Sequence, residues 1–238
     1  MEKTEIDSLS RLETFLKSID LASYRKQYSQ IKLVEMDLPR NIQALQSIYE
    51  IYWNKKNFLN FDLYYEKYLE AHGTDIKTFR EKTTMCEDCF TRGLKARIYR
   101  TWASVITQIH AGYVAEKVFG ENSVEMSVEL DHKKVDIKVT YRDFIINYQV
   151  KKESHRPEAR IRIASTKINE GLNLDLFYFV PPRKIFEDPY KLDGKPRKEF
   201  ERFTQNSQLS LLTNGFVIFN QQTFTEDKAA IDLKLASA

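Results

Sequence analysis

At 238 residues, with 42% hydrophobic and 30% charged residues, the chain suits one large domain or two small ones and is too apolar to be disordered. Seven glycines and six prolines are too few for a collagen-like, linker-rich or many-stranded sandwich protein, and no apolar run is long enough to span a membrane. The net charge of +3 is unevenly spread: residues 1–90 carry 13 Lys+Arg against 15 Asp+Glu, and residues 91–238 carry 24 against 19.

The opening Met1-Glu2-Lys3-Thr4-Glu5 is polar and mixed in charge, so no secretory signal is expected. Leu9, Leu12, Phe15, Leu16 and Ile19 then form one stripe of an amphipathic helix. Pro39 bounds the next segment and biases Leu38 away from helix. Ile42, Leu45, Ile48, Tyr49 and Trp53 repeat the helical spacing, as do Leu59, Leu63, Tyr64, Tyr68 and Leu69, with a stop expected at His72-Gly73. Two cysteines, Cys86 and Cys89, cannot build a disulfide framework; they read as free thiols of a reducing cytoplasm, since no second CxxC or HxxxH completes a zinc site. Residues 94–119 are the strongest element, a long helix ended by Gly120. Arg92, Lys95, Arg97 and Arg100 crowd its start, against the preference of the helix dipole, so either they are solvated or an anion sits nearby. His110 on this helix reads as a satisfied core residue, and Glu116 as a charge at the helix edge.

After Gly120 the period changes to two. Val124, Met126, Val128 and Leu130 alternate with polar residues as a half-buried strand, and Asp131-His132-Lys133-Lys134 reads as a turn. Val135 to Thr140 and Phe144 to Lys151 give two more strands of a meander. Leu174 to Val180 reads as a strand, about Arg197 to Leu212 as a charged helix, and Gly215 to Asn220 as a last strand. The fold class is α/β, with a helix-rich part over 1–93 and a mixed sheet flanked by helices over 94–238.

The chemistry-bearing residues fall in the meander. Gln149 and Lys151 are two apart on one strand and share a face, and a hairpin can bring Asp136 of the neighbouring strand close to them. Carboxylate, amide and backbone carbonyl oxygens are hard donors suited to Mg²⁺. A lysine beside such a metal can orient a water and stabilise negative charge on an attacked phosphate. Asp131 offers a second carboxylate. The bland alternatives are a snorkelling Lys151, an exposed strand Gln149 and an Asx-turn Asp131. The basic run from Lys151 to Lys167 suits a polyanion or a solvated loop.

These residues resemble the PD-(D/E)xK nucleases, with Gln149 in place of the acidic residue. More narrowly, Leu38-Pro39, the Ala96-to-His110 segment, Glu129-Leu130-Asp131 with Val135-Asp136, and Gln149-Val150-Lys151-Lys152-Glu153-Ser154 resemble the TaqI-type restriction endonuclease family, over about residues 15 to 220. The resemblance implies a type II restriction endonuclease cutting duplex DNA at TCGA with Mg²⁺, as a homodimer on a palindrome. It implies Asp136, Asp131 and the Val150 carbonyl as metal ligands, Lys151 as the water-positioning group, and Gln149 as a neutral member of the catalytic set. Lys152, His155, Arg156, Arg160 and Arg162 are the expected DNA contacts, and a cognate methyltransferase is expected as a functional companion. Rival readings are a non-catalytic nucleic-acid-binding protein of nuclease fold, a structure-specific repair or recombination nuclease, and a helical interaction scaffold.

Overall fold

The computed structural model describes residues 7–28, 31, 38–153, 171–180 and 188–236. Helices come first, as the periodicity requires. α1 (Ser8–Ser18) is capped by Asp7, whose carboxylate accepts from Ser10 N–H at 2.8 Å, and it buries Leu12 and Leu16. α2 (Leu21–Tyr28) follows. After a 3₁₀ turn at Arg40–Ile42, α3 (Leu45–Ile48) runs straight into a π-helical stretch, Tyr49–Asn54.

α4 (Phe61–Glu81) does not stop at His72-Gly73 as the sequence suggests. A glycine in a helix costs about 1 kcal/mol relative to alanine. Beyond it Ile76 is buried and Phe79 packs on the core, apolar burial that outweighs the glycine. α5 (Glu87–Phe119) begins earlier than expected, because Cys86 serves as its N-cap, with Sγ accepting from Cys89 N–H at 3.3 Å. The expected division at 93/94 therefore falls inside this helix. Gly120, at φ +116°, ends it.

α5 is the axis of the molecule. On one side it packs against α1, α2 and α4 through interlocked aromatic rings. Trp102 donates to Tyr52 Oη at 2.8 Å, and Tyr52 in turn donates to Leu59 O. On the other side it carries a four-stranded sheet of order β1-β2-β3-β4: β1 (Val124–Glu125), β2 (Ile137–Tyr141), β3 (Phe144–Lys152) and β4 (Leu172–Tyr178). The first three strands are an antiparallel meander, and β4 joins β3 in parallel, so the sheet is mixed.

The expected strand through Leu130 ends after two residues. Ser127 Oγ accepts from Leu130 N–H and starts a short helix, α6 (Val128–His132), so Asp131 lies on a helix and not in a turn. Just before that cap, buried Met126 lies against Gly112 of α5; a Cβ there would meet Met126 Sδ at 2.3 Å. The bare glycine thus lets the α6 segment sit down on α5.

The helix expected over 197–212 also shortens. α7 (Lys198–Thr204) ends before an Asx turn at Asn206, and β5 (Leu209–Leu211) pairs with β6 (Val217–Phe219). α8 (Gln222–Ala236), which the sequence reading did not separate, docks on the sheet through Tyr148 Oη to Asp227 at 3.1 Å and Tyr141 Oη to Asp232 at 2.9 Å. One apolar core runs through both the helical and the sheet parts. Among the described residues, no helix is long and apolar enough to cross a membrane.

Candidate active site

Asp136 stands one residue ahead of β2, where β2 and β3 begin to diverge, and only 6% of it is exposed. Its backbone N–H donates to Tyr148 O at 2.9 Å, which fixes the register with β3. Its carboxylate reaches across the fork: Oδ2 accepts from Val150 N–H at 2.6 Å, and Oδ1 accepts from Gln108 Nε2 of α5 at 3.1 Å.

The second carboxylate comes from α6. Asp131 is hydrogen-bonded to Asp136, so two carboxyls share one partly buried site. Burial is the main force raising both pKa values. For Asp136 the charge of Asp131 adds to it, and the Val150 N–H and the Lys151 ammonium only partly offset it, leaving a pKa of about 7. Both carboxyls therefore resist ionisation in this site, a tension that a cation would relieve.

Lys151 and Gln149 share one face of β3, as strand alternation requires. The parallel register sets Gln149 opposite Asp175 of β4. Lys151 Nζ donates to Asp175 Oδ2 at 2.8 Å while lying within electrostatic reach of Asp136. Lys152 points the other way. It is exposed overall, yet partial desolvation of its ammonium and the nearby Arg25 charge pull its pKa below the ordinary lysine value. His155, Arg156, Arg160 and Arg162 lie outside the described residues.

The structure thus brings Asp131, Asp136 and Lys151 together. It adds three residues that the sequence did not single out for chemistry: Gln108, Asp175 and Tyr49. Asp175 has no local signature, because its pairing with Lys151 depends on a parallel register across a long connection. Tyr49 sits on the π-helical stretch; its buried hydroxyl has no partner, and the charges of Asp131 and Asp136 add to the burial that raises its pKa.

Among the described residues five buried side-chain polar atoms lack a partner. Two of them, Tyr49 Oη and Gln108 Oε1, belong to residues around this site. Unsatisfied polar atoms gathered at one place mark a position that a ligand, ion or water completes. Among the described residues no group of three or more His, Cys, Asp and Glu side chains converges, so a cation here would draw on amide and backbone oxygens beside the two carboxylates. Two carboxylates and an orphaned amide oxygen are all hard donors, and the set fits a hard divalent cation.

The chain is similar to known proteins along most of its length. A family model described as TaqI restriction endonuclease matches residues 9–229. The type II restriction enzyme TthHB8I of Thermus thermophilus and the type II restriction enzyme TaqI of Thermus aquaticus are each 32% identical to the chain, across 90% of it and 84% of their own lengths. No solved structure matches. A match spanning both the helical part and the sheet, at this identity, identifies the chain as a member of the TaqI restriction endonuclease family.

Proposed function

We propose that this chain is a type II restriction endonuclease that hydrolyses phosphodiester bonds of duplex DNA at TCGA with Mg²⁺. Family membership supports the endonuclease activity. The observation that carries the chemistry is the hydrogen-bonded, partly buried Asp131–Asp136 pair beside Lys151.

In this reading Asp136 and Asp131, with the Val150 carbonyl, hold the metal ion. When bound, Mg²⁺ supplies Lewis-acid compensation for the charge that develops on the attacked phosphate. Gln108 keeps Asp136 aimed, since its amide already grips one carboxylate oxygen. Asp175 holds Lys151 Nζ on the strand face until substrate arrives. Lys151 then turns its ammonium toward the phosphate, donates a hydrogen bond that positions the attacking water, and balances the incoming negative charge. Gln149, beside it on the same face, completes the polar lining without adding charge.

Lys152, with His155, Arg156, Arg160 and Arg162, would follow the DNA beyond the scissile bond. A four-base palindrome calls for two-fold protein symmetry, so the active species is a homodimer, and a cognate methyltransferase would protect host sites. The helices ahead of α5 form the supporting wall, and α5 with the sheet the nuclease core.

The test is direct. Purified protein incubated with long duplex DNA should give discrete bands with Mg²⁺, none with EDTA, and ends mapping to TCGA. A smear would retain a nuclease and remove the sequence specificity. Intact DNA that is nonetheless bound would favour the non-catalytic reading.

A further inference from the structure

The four cations at the start of α5 separate into distinct environments. Lys95 is accounted for by the fold: its ammonium pairs with Asp62 at 2.9 Å and lies over the rings of Tyr28, Phe61 and Tyr65. Arg92 is exposed on the surface. Arg97 and Arg100, three residues apart and so on one side of the helix, line a cleft of ≈ 450 Å³ between α5 and the chain from Leu38 to Leu45.

Asp131 closes one end of that cleft, and Gln108, which grips Asp136, forms part of its floor. The cleft therefore reaches Asp131, one member of the carboxylate pair. Arg97 Nε is buried and has no partner. Arg100 donates to Ile31 O at 2.6 Å, a bond that holds its guanidinium in place. Beyond its hydrogen bond to Asp136, the charge that bears on Asp131 is that of His132, so Arg97 does not serve as its counter-ion. A half-buried guanidinium with an idle N–H calls for an acceptor, and its planar fork matches the oxygens of a phosphate.

We propose that Arg97 and Arg100 bind a backbone phosphate of the DNA strand being cut, further along the cleft from the scissile one, and so deliver the strand to the carboxylates. This inference rests on the endonuclease reading above. It assigns the strand path to a wall of α5. The contact is to phosphate and not to a base, so it should be independent of sequence.

The experiment measures binding of short duplexes, one with TCGA and one scrambled, by fluorescence anisotropy in EDTA across a salt series. Cleavage in Mg²⁺ is followed in parallel for the same proteins. Arg97→Gln should weaken binding to both duplexes roughly tenfold. It should also lower the slope of log affinity against log salt by about 1. Arg97→Lys should restore the slope, because it restores the charge. Arg100→Lys keeps a donor for Ile31 O and should leave the slope unchanged while weakening affinity through loss of the fork. A wild-type slope in Arg97→Gln, or a loss confined to the TCGA duplex, would overturn the inference while leaving the endonuclease reading intact. A wild-type protein that neither binds nor cuts either duplex would overturn both.

Discussion

Carboxylates of the helical half and the desolvated carboxylates of the sheet half are held in opposite ways. In the helical half the carboxylates are held below their ordinary pKa. Asp7 is bonded to Lys117 and Ser10; Glu13 accepts from His110; Asp62 is pulled up by burial but pulled down further by Lys95 and Tyr24. In the sheet half Asp131, Asp136 and Asp227 are all held above it, chiefly by burial. Charges in the first group fasten helices to one another. Charges in the second are kept under-compensated, which costs stability and leaves a site ready for a cation or a phosphate.

Lysine pairing sharpens the contrast and yields the largest expected effect. Lys95–Asp62 and Lys151–Asp175 have similar geometry, at 2.9 and 2.8 Å. Lys95 is wrapped by aromatic rings, whereas Lys151 faces out from the sheet beside the carboxylate pair. Lys151→Ala should therefore lower the cleavage rate on the order of a thousandfold, with melting temperature and DNA affinity near wild type. Equal losses of binding and stability would place Lys151 in the same class as Lys95, a structural cation.

The second effect concerns the cost of Asp136 itself. Its pKa of about 7 in the folded protein lies above the ordinary aspartate value of 3.8. Below pH 4 both states are protonated and there is no penalty. Between pH 4 and 7 the unfolded chain loses its proton while the folded one keeps it, so stability falls as pH rises, and the full penalty stands above pH 7. Asp136→Asn removes that penalty. The carbonyl of the introduced amide can still accept from Val150 N–H, and the orphaned Gln108 Oε1 can accept from its NH₂ group. In EDTA the variant should be more stable than wild type by roughly 4 kcal/mol at pH 8 and equal to it at pH 4, by urea denaturation. A variant less stable than wild type at pH 8 would mean that Asp136 is a structural carboxylate like Asp7.

Much of this was legible in the sequence, and the failures have physical causes. The aromatic and aliphatic stripes announced α1, α4 and α5, because burial of one face dominates such segments. The alternation in β2 and β3 put Gln149 and Lys151 on one face, and the hairpin put Asp136 at the fork. What failed was the contest between pattern and cap: Val124 to Leu130 alternates as a strand, but Ser127 nucleates a helical turn that carries Asp131 to Asp136. Gly73 looked like a stop because its own cost is local, whereas the compensating burial of Ile76 is tertiary. Asp175, Gln108 and Tyr49 gave no sequence signal, since each joins the site through a contact distant along the chain. The crowding of Arg97 and Arg100 against the helix dipole was visible; only the cleft tells them apart from Lys95.

The smallest effect mirrors the Asp136 result. Asp7 caps α1 and pairs with Lys117 at 2.7 Å, and those two partners pull its pKa down to about 2. Here the folded pKa lies below the unfolded one, so the carboxylate contributes stability above pH 4 and that contribution is lost as pH falls toward 2. The site is largely open to water, so most of the value lies in the cap and little in the ion pair. Asp7→Ala should then destabilise the protein by about 1 kcal/mol at pH 7, with little effect near pH 2. Measured together by urea midpoint, the differences of Asp7→Ala and Asp136→Asn from wild type should both fade in acid, where each carboxylate is neutral, and should carry opposite signs at pH 8. If both carried the same sign, the two halves of the molecule would not differ in how they hold these carboxylates, and the Asp131–Asp136 pair would lose its standing as a site held ready at a cost in stability.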